Sequence, residues 1–155
     1  MKHLLSKVRA FGGDRRGNAL VEFAIGSLLL VAVFTGTYEF AYTFLQYNNL
    51  ENAVARGAHY AALVPYDSAS STPSSALSTA VKNMVVYGST TAGSSPVIAG
   101  LSTSNVSLTV GFDNGVPSTM TVKITSFTVN SFFLTSTLTN KPSITYAYQG
   151  IWSPI

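Results

Sequence analysis

The polar and apolar positions divide the chain into unequal parts. Between Phe23 and Tyr38 there is no charged residue, and apolar side chains fall on every side of a helix drawn through the run. An element that is apolar all round is buried all round, in lipid or in protein. Glu22 and Glu39 bracket the run. At about 1.5 Å of rise per residue they lie roughly 25 Å apart, against about 30 Å for the apolar core of a bilayer. Both acids then fall near an interface, where charge is cheaper than at mid-membrane. Tyr38, Tyr42 and Tyr47 cluster at the outer interface as an aromatic belt does. The pattern predicts a membrane span over about residues 20–42.

Beyond the span the pattern becomes amphipathic. Tyr47, Leu50, Val54, Ala58 and Ala61 recur at spacings of three and four, with Asn49, Asn52, Arg56 and His59 opposite. Ala53, Gly57 and Ala61 add small residues at every fourth position, which permits close backbone approach. This stripe is the candidate helix packing surface, and it suits either the chain's own sheet or a neighbouring helix. No proline precedes Pro65, so one long helix over residues 18–63 is expected. Residues 64–75, rich in Ser and Pro, read as a flexible connection.

The remainder, residues 76–155, reads as a small α+β domain. A short helix runs through "SSALSTAVKNMVVYG", with Ser74 or Ser75 as its cap, Gly88 as its stop, and Ala76, Ala80, Met84 and Tyr87 near one face. "NVSLTVGF" alternates, with Val106, Leu108, Val110 and Phe112 on one side. Asn114-Gly115 signals a hairpin turn. The return strand turns Met120, Val122, Ile124 and Phe127 inward, "NSFFLTSTLTN" reads as a loop or a short helical turn, and "SITYAYQGIW" as a last strand. The expected architecture is a long N-terminal transmembrane helix continuing into a domain with an antiparallel sheet of three to four strands.

Charge changes the picture at the N-terminus. Lys2, Lys7, Arg9, Arg15 and Arg16 precede Gly17 against one acid, Asp14. After Gly17, four bases face five acids and leave −1. The basic character thus belongs to one short block before an apolar run, which orients a membrane segment with its N-terminus in the cytoplasm. It is not the spread of Lys and Arg over a face that nucleic acid requires. With no cysteine and scattered acids, no metal-ligand spacing appears, and with His3 in the leader no Ser/His/Asp grouping can be argued around His59 on a solvent-facing helix stripe. No cofactor and no enzymatic activity are expected. His59 reads as solvated. Glu51 reads as a solvated edge or a partner contact. Glu39 reads as a second assembly group or as an acid kept at the interface by solvation. Trp152 either anchors the tail to the core or meets a partner.

Three readings account for the N-terminus. A secretory signal peptide has such a basic region, but here Glu22 opens the apolar run and the helical pattern continues past it. A plain signal anchor explains the topology and leaves Glu22 without a role. The third reading uses spacing. In "GNALVEF", Gly17 is followed five residues later by Glu22 and then by the aromatic Phe23, with bases before and an apolar helix after. This resembles the cleavage motif of class III prepilin peptidases, which implies a cut between Gly17 and Asn18 and a leader of residues 1–17.

Together with Glu39 and "ENAVARGAHYAA", the motif resembles the TadE family of pseudopilins, minor pilin-like proteins of the tight adherence (Flp, type IVc) pilus; TadF-like and TadG-like relatives share its outline. The resemblance implies an inner-membrane protein with a cytoplasmic N-terminus and a periplasmic domain, used in pilus assembly or initiation. Its implied partners are a prepilin peptidase, other pilin or pseudopilin subunits, the inner-membrane assembly platform and membrane lipid, with no nucleic acid. It makes Glu22, with Phe23 beside it, a registry group. The alternative is a membrane-anchored periplasmic binding or adhesion module that never enters a fibre.

Overall fold

The computed structural model describes the backbone of residues 15–154 and the side chains from Gly17 onward. Most of the expected leader, residues 1–14, lies outside the described residues. The chain forms two compact units, Met1–Phe40 and Ala41–Ile155. A single helix, α1 (Arg15–Leu63), supplies the described part of the first and opens the second. It runs so long because nothing in it breaks a helix: proline is absent and its glycines are isolated.

In the second unit α1 is amphipathic as read. Leu50, Val54, Ala58 and Ala61 have no exposed surface, and Tyr47 is half-buried. Helix α2 (Ser75–Tyr87) starts where the Ser74 hydroxyl accepts the Leu77 amide at 3.3 Å, satisfying one of the first-turn donors. It ends where Gly88, at φ 72°, turns left-handed and donates its amide to the Met84 carbonyl. Its buried face is Leu77, Val81, Asn83, Val85 and Val86, which corrects the expected Ala76–Ala80–Met84–Tyr87 face. The two stripes are one residue out of phase, and the one with more apolar area to hide goes inside.

Five strands follow: β1 (Val106–Asp113), β2 (Val116–Ile124), β3 (Ser126–Asn130), β4 (Thr135–Thr139) and β5 (Ser143–Ala147). One antiparallel sheet has the order β1-β2-β5. The β1–β2 turn holds Asn114 at φ 50° and Gly115 at φ 83°, the paired positive φ of a type I′ turn. Val106, Val110, Met120, Val122 and Ile124 face the core, while Leu108 and Phe112 are only half-buried. The β3–β4 pair is a separate two-stranded hairpin, so "NSFFLTSTLTN" is neither loop nor helical turn. Phe127 and Val129 fix it to the core, and the Thr128 and Thr137 hydroxyls meet across it at 3.2 Å. Asn105 ties its base, donating to the Ser126 carbonyl at 2.6 Å and accepting the Thr125 amide at 2.8 Å.

Candidate membrane helix and processing motif

The first unit presents an uncovered apolar helix. Leu20, Val21, Phe23, Ile25, Leu28, Leu29, Leu30, Val31, Val33 and Phe34 are each more than half exposed. The most apolar 18-residue window has a mean hydropathy of 2.1, and none of it is buried. At the low end of about 1.5 kcal/mol for each large apolar side chain, the ten favour an apolar surrounding by roughly 15 kcal/mol. A carboxylate at mid-helix opposes insertion by only about 2.5–3.5 kcal/mol, and by less at an edge. The apolar term wins, and the helix can cross a membrane. Its hydroxyls suit that setting too. Ser27 donates to the Ala24 carbonyl and Thr37 to the Val33 carbonyl, each at 2.9 Å, so neither donor is left bare in hydrocarbon.

The motif sits at the start of this helix. Gly17, Asn18, Glu22 and Phe23 are all exposed, and nothing lies within 4 Å of where a Gly17 Cβ would be. Glu22 makes no ion pair with another described residue. Glu39 differs. It is 4 % exposed, so solvation at an interface is not what accommodates it here. Glu51 and His59 are exposed, and His59 sets its ring edge-on to Tyr146 on β5 at 5.9 Å.

The candidate packing stripe is covered within the second unit. A Cβ at Gly57 would run into Val85 Cγ2 and would sit 3.5 Å from the Val81 carbonyl oxygen, so α1 and α2 meet there at glycine distance. Leu50, Val54, Ala58 and Ala61 lie in the same closed core. Only the outer part of Tyr47 is left for a neighbouring helix.

Sequence reasoning missed the lock that closes the second unit. Tyr66, inside the supposed flexible connection, has no exposed surface. Its amide donates to the Ile151 carbonyl at 2.9 Å, and its carbonyl accepts the Ser153 amide at 3.0 Å, a parallel bridge beside Trp152. Trp152 donates Nε1–H to the Ser68 carbonyl at 3.1 Å and stands edge-on to Phe112 at 6.4 Å. It anchors the tail. The same segment satisfies the C-terminus of α1, whose last carbonyls have no partner within the helix. The Gln149 amide reaches the Ala62 carbonyl at 2.9 Å, and the Tyr148 hydroxyl lies 3.1 Å from the Val64 carbonyl and 2.8 Å from that of Ile151. Gly150 is required here because a Cβ would strike the Val64 oxygen and the Tyr148 hydroxyl. Burial raises both the Tyr66 and the Tyr148 hydroxyl above the usual tyrosine pKa, through loss of hydration of the phenolate. The readable signal was the aromatic density of "YAYQGIW" opposite a lone "PYD".

Fold and motif together define a class: a protein with one exposed, membrane-capable N-terminal helix whose continuation is the packing spine of a small α+β domain. The family model described as TadE-like protein matches residues 17–59. Over that stretch, from the motif glycine through most of α1, the chain is similar to TadE-like proteins; α2 and the strands lie beyond the match. No curated protein and no solved structure matches.

Proposed function

We propose that the protein is a pseudopilin-like minor subunit of a Tad-type pilus, processed by a prepilin peptidase and needed to assemble or initiate the fibre. The observation that carries this reading is the family match beginning at Gly17, the residue that opens the Gly-to-Glu motif at the mouth of an exposed apolar helix. The basic block holds the N-terminus in the cytoplasm. The peptidase cuts between Gly17 and Asn18, and Gly17, lacking a Cβ, can extend into a narrow protease site. Five positive charges depart with the leader, and one new ammonium appears on Asn18. Glu22 pairs with such an amine, its own or that of the adjoining subunit. In a low-dielectric bundle a matched pair recovers much of the burial penalty, whereas a mismatched one leaves both charges exposed to hydrocarbon. Glu22 therefore sets register and does no chemistry. The domain stands on the periplasmic side, and the protein's role is structural, through lipid, pilin-like subunits and the assembly platform.

Glu22→Ala and Glu22→Leu test this. Both variants should reach the membrane at wild-type levels and yield little sheared surface fibre. Undiminished fibre from both would refute the registry role.

A further inference from the structure

We propose that the tip of the β3–β4 hairpin, Phe132, Phe133 and Leu134, inserts into the interfacial zone of the phospholipid bilayer that holds the chain's own apolar helix. The three side chains are 79 %, 64 % and 63 % exposed, and the two rings stand edge to face at 4.6 Å. Turn chemistry does not ask for them. The Ser131 amide bonds to the Leu134 carbonyl at 2.8 Å, which leaves Phe132 and Phe133 as the two central residues of a tight hairpin. Such positions favour Asn, Asp and Gly, as the Asn114-Gly115 turn of the same chain shows. Nor do they serve the core, which β3 reaches through Phe127 and Val129.

What covers the tip follows from where β3 ends. Phe127 to Asn130 line a cavity together with Tyr42 and Gln46, so β3 runs out beside the first turns of α1 in the second unit. Those turns begin at Ala41, directly after the apolar run. Tyr42 lies only about 6 Å of helix rise beyond Tyr38, and Phe44 and Leu45 on the same turns are still more than half exposed. The tip therefore belongs to the side of the second unit at which α1 enters it. No charged residue lies between Lys123 and Lys141. An uncharged Ser/Thr hairpin ending in aromatic and aliphatic side chains suits the headgroup–acyl boundary, where apolar area binds without spanning.

The inference rests on the membrane-anchored reading, and the experiment separates the two. The chain has no cysteine, so single nitroxide labels can be placed by Phe132→Cys, Phe133→Cys, Leu29→Cys and Ser94→Cys in the full-length chain. The labelled proteins are reconstituted in phosphatidylcholine–phosphatidylglycerol vesicles, and collision with oxygen and with a nickel chelate is measured by power saturation. Labels at 132 and 133 should show several-fold less nickel access than the label in the Ser94 loop, and the protection should persist as protein is diluted in excess lipid. Nickel access equal to that at Ser94, with Leu29 protected, would overturn the tip insertion alone. Protection that vanishes on dilution would assign the tip to a second copy and overturn it equally. An unprotected Leu29 would remove the anchored reading itself.

Discussion

The α1–α2 contact at Gly57 yields a prediction whose sign depends on where that glycine packs. Gly57→Ala adds one methyl group. In an open helix it should stabilise by about 0.8–1.0 kcal/mol, the propensity difference between Gly and Ala. In this structure the new Cβ meets Val85 Cγ2, on a side chain with no exposed surface. Overpacking of that kind costs about 1–3 kcal/mol, so the net effect is a loss of up to about 2 kcal/mol. Val85→Ala alone should cost about 1.5–3 kcal/mol by removing a buried side chain. In that background the clash is gone, and Gly57→Ala should stabilise by about 1 kcal/mol. The interaction between the two sites is then on the order of 1–3 kcal/mol, within the range for residues in contact. The assay is equilibrium urea unfolding of the full chain in detergent, followed by the single tryptophan, Trp152, which stands against Phe112. Equal stabilisation by Gly57→Ala in both backgrounds would refute the packing argument. It would also return Gly57 to the neighbouring-helix reading, in which the variant raises domain stability and blocks assembly.

Alkaline pH should loosen the second unit: with the Tyr66 and Tyr148 hydroxyls raised by burial, their contribution is complete below the ordinary tyrosine value of about 10 and is lost as pH rises through the folded values. The urea midpoint should fall above that pH, and Tyr148→Phe should flatten the fall relative to wild type. Gly150→Ala should destabilise by about 1–3 kcal/mol, read as a lower urea midpoint, because its Cβ strikes the Val64 oxygen and the Tyr148 hydroxyl; an unchanged midpoint would contradict the close approach. Trp152→Ala should speed amide exchange at Tyr66 and Ser153, which bridge at that residue, and leave the β1–β2 amides protected.

Local chemistry makes several elements readable in the sequence. Unbroken apolar sequence with no proline before Pro65 announced α1, Ser74 and Gly88 bounded α2, and Asn114-Gly115 marked its hairpin. Periodicity alone could not choose the buried face of α2, since its two stripes differ by one residue and only their apolar area separates them. The β3–β4 hairpin escaped because β4 carries one large apolar residue, Leu138, and the two central positions of its turn hold Phe132 and Phe133 rather than Asn, Asp or Gly. The Tyr66–Trp152 lock joins residues far apart in the chain; the aromatic density of "YAYQGIW" marks one side of it, but no local pattern names the partner. At the motif, the Gly17-to-Glu22 spacing was legible in full. The register proposed for Glu22 was not, because register belongs to the contact between subunits.

The first residue of the chain found in the membrane tests the proposed function most directly. Intact-mass and N-terminal peptide measurement should be made on the membrane-extracted chain from cells with and without an active prepilin peptidase. Asn18 should come first when the peptidase is active, and the residues before it should be retained when it is not. A chain that keeps its residues up to Gly17 in the presence of a working peptidase would contradict the account.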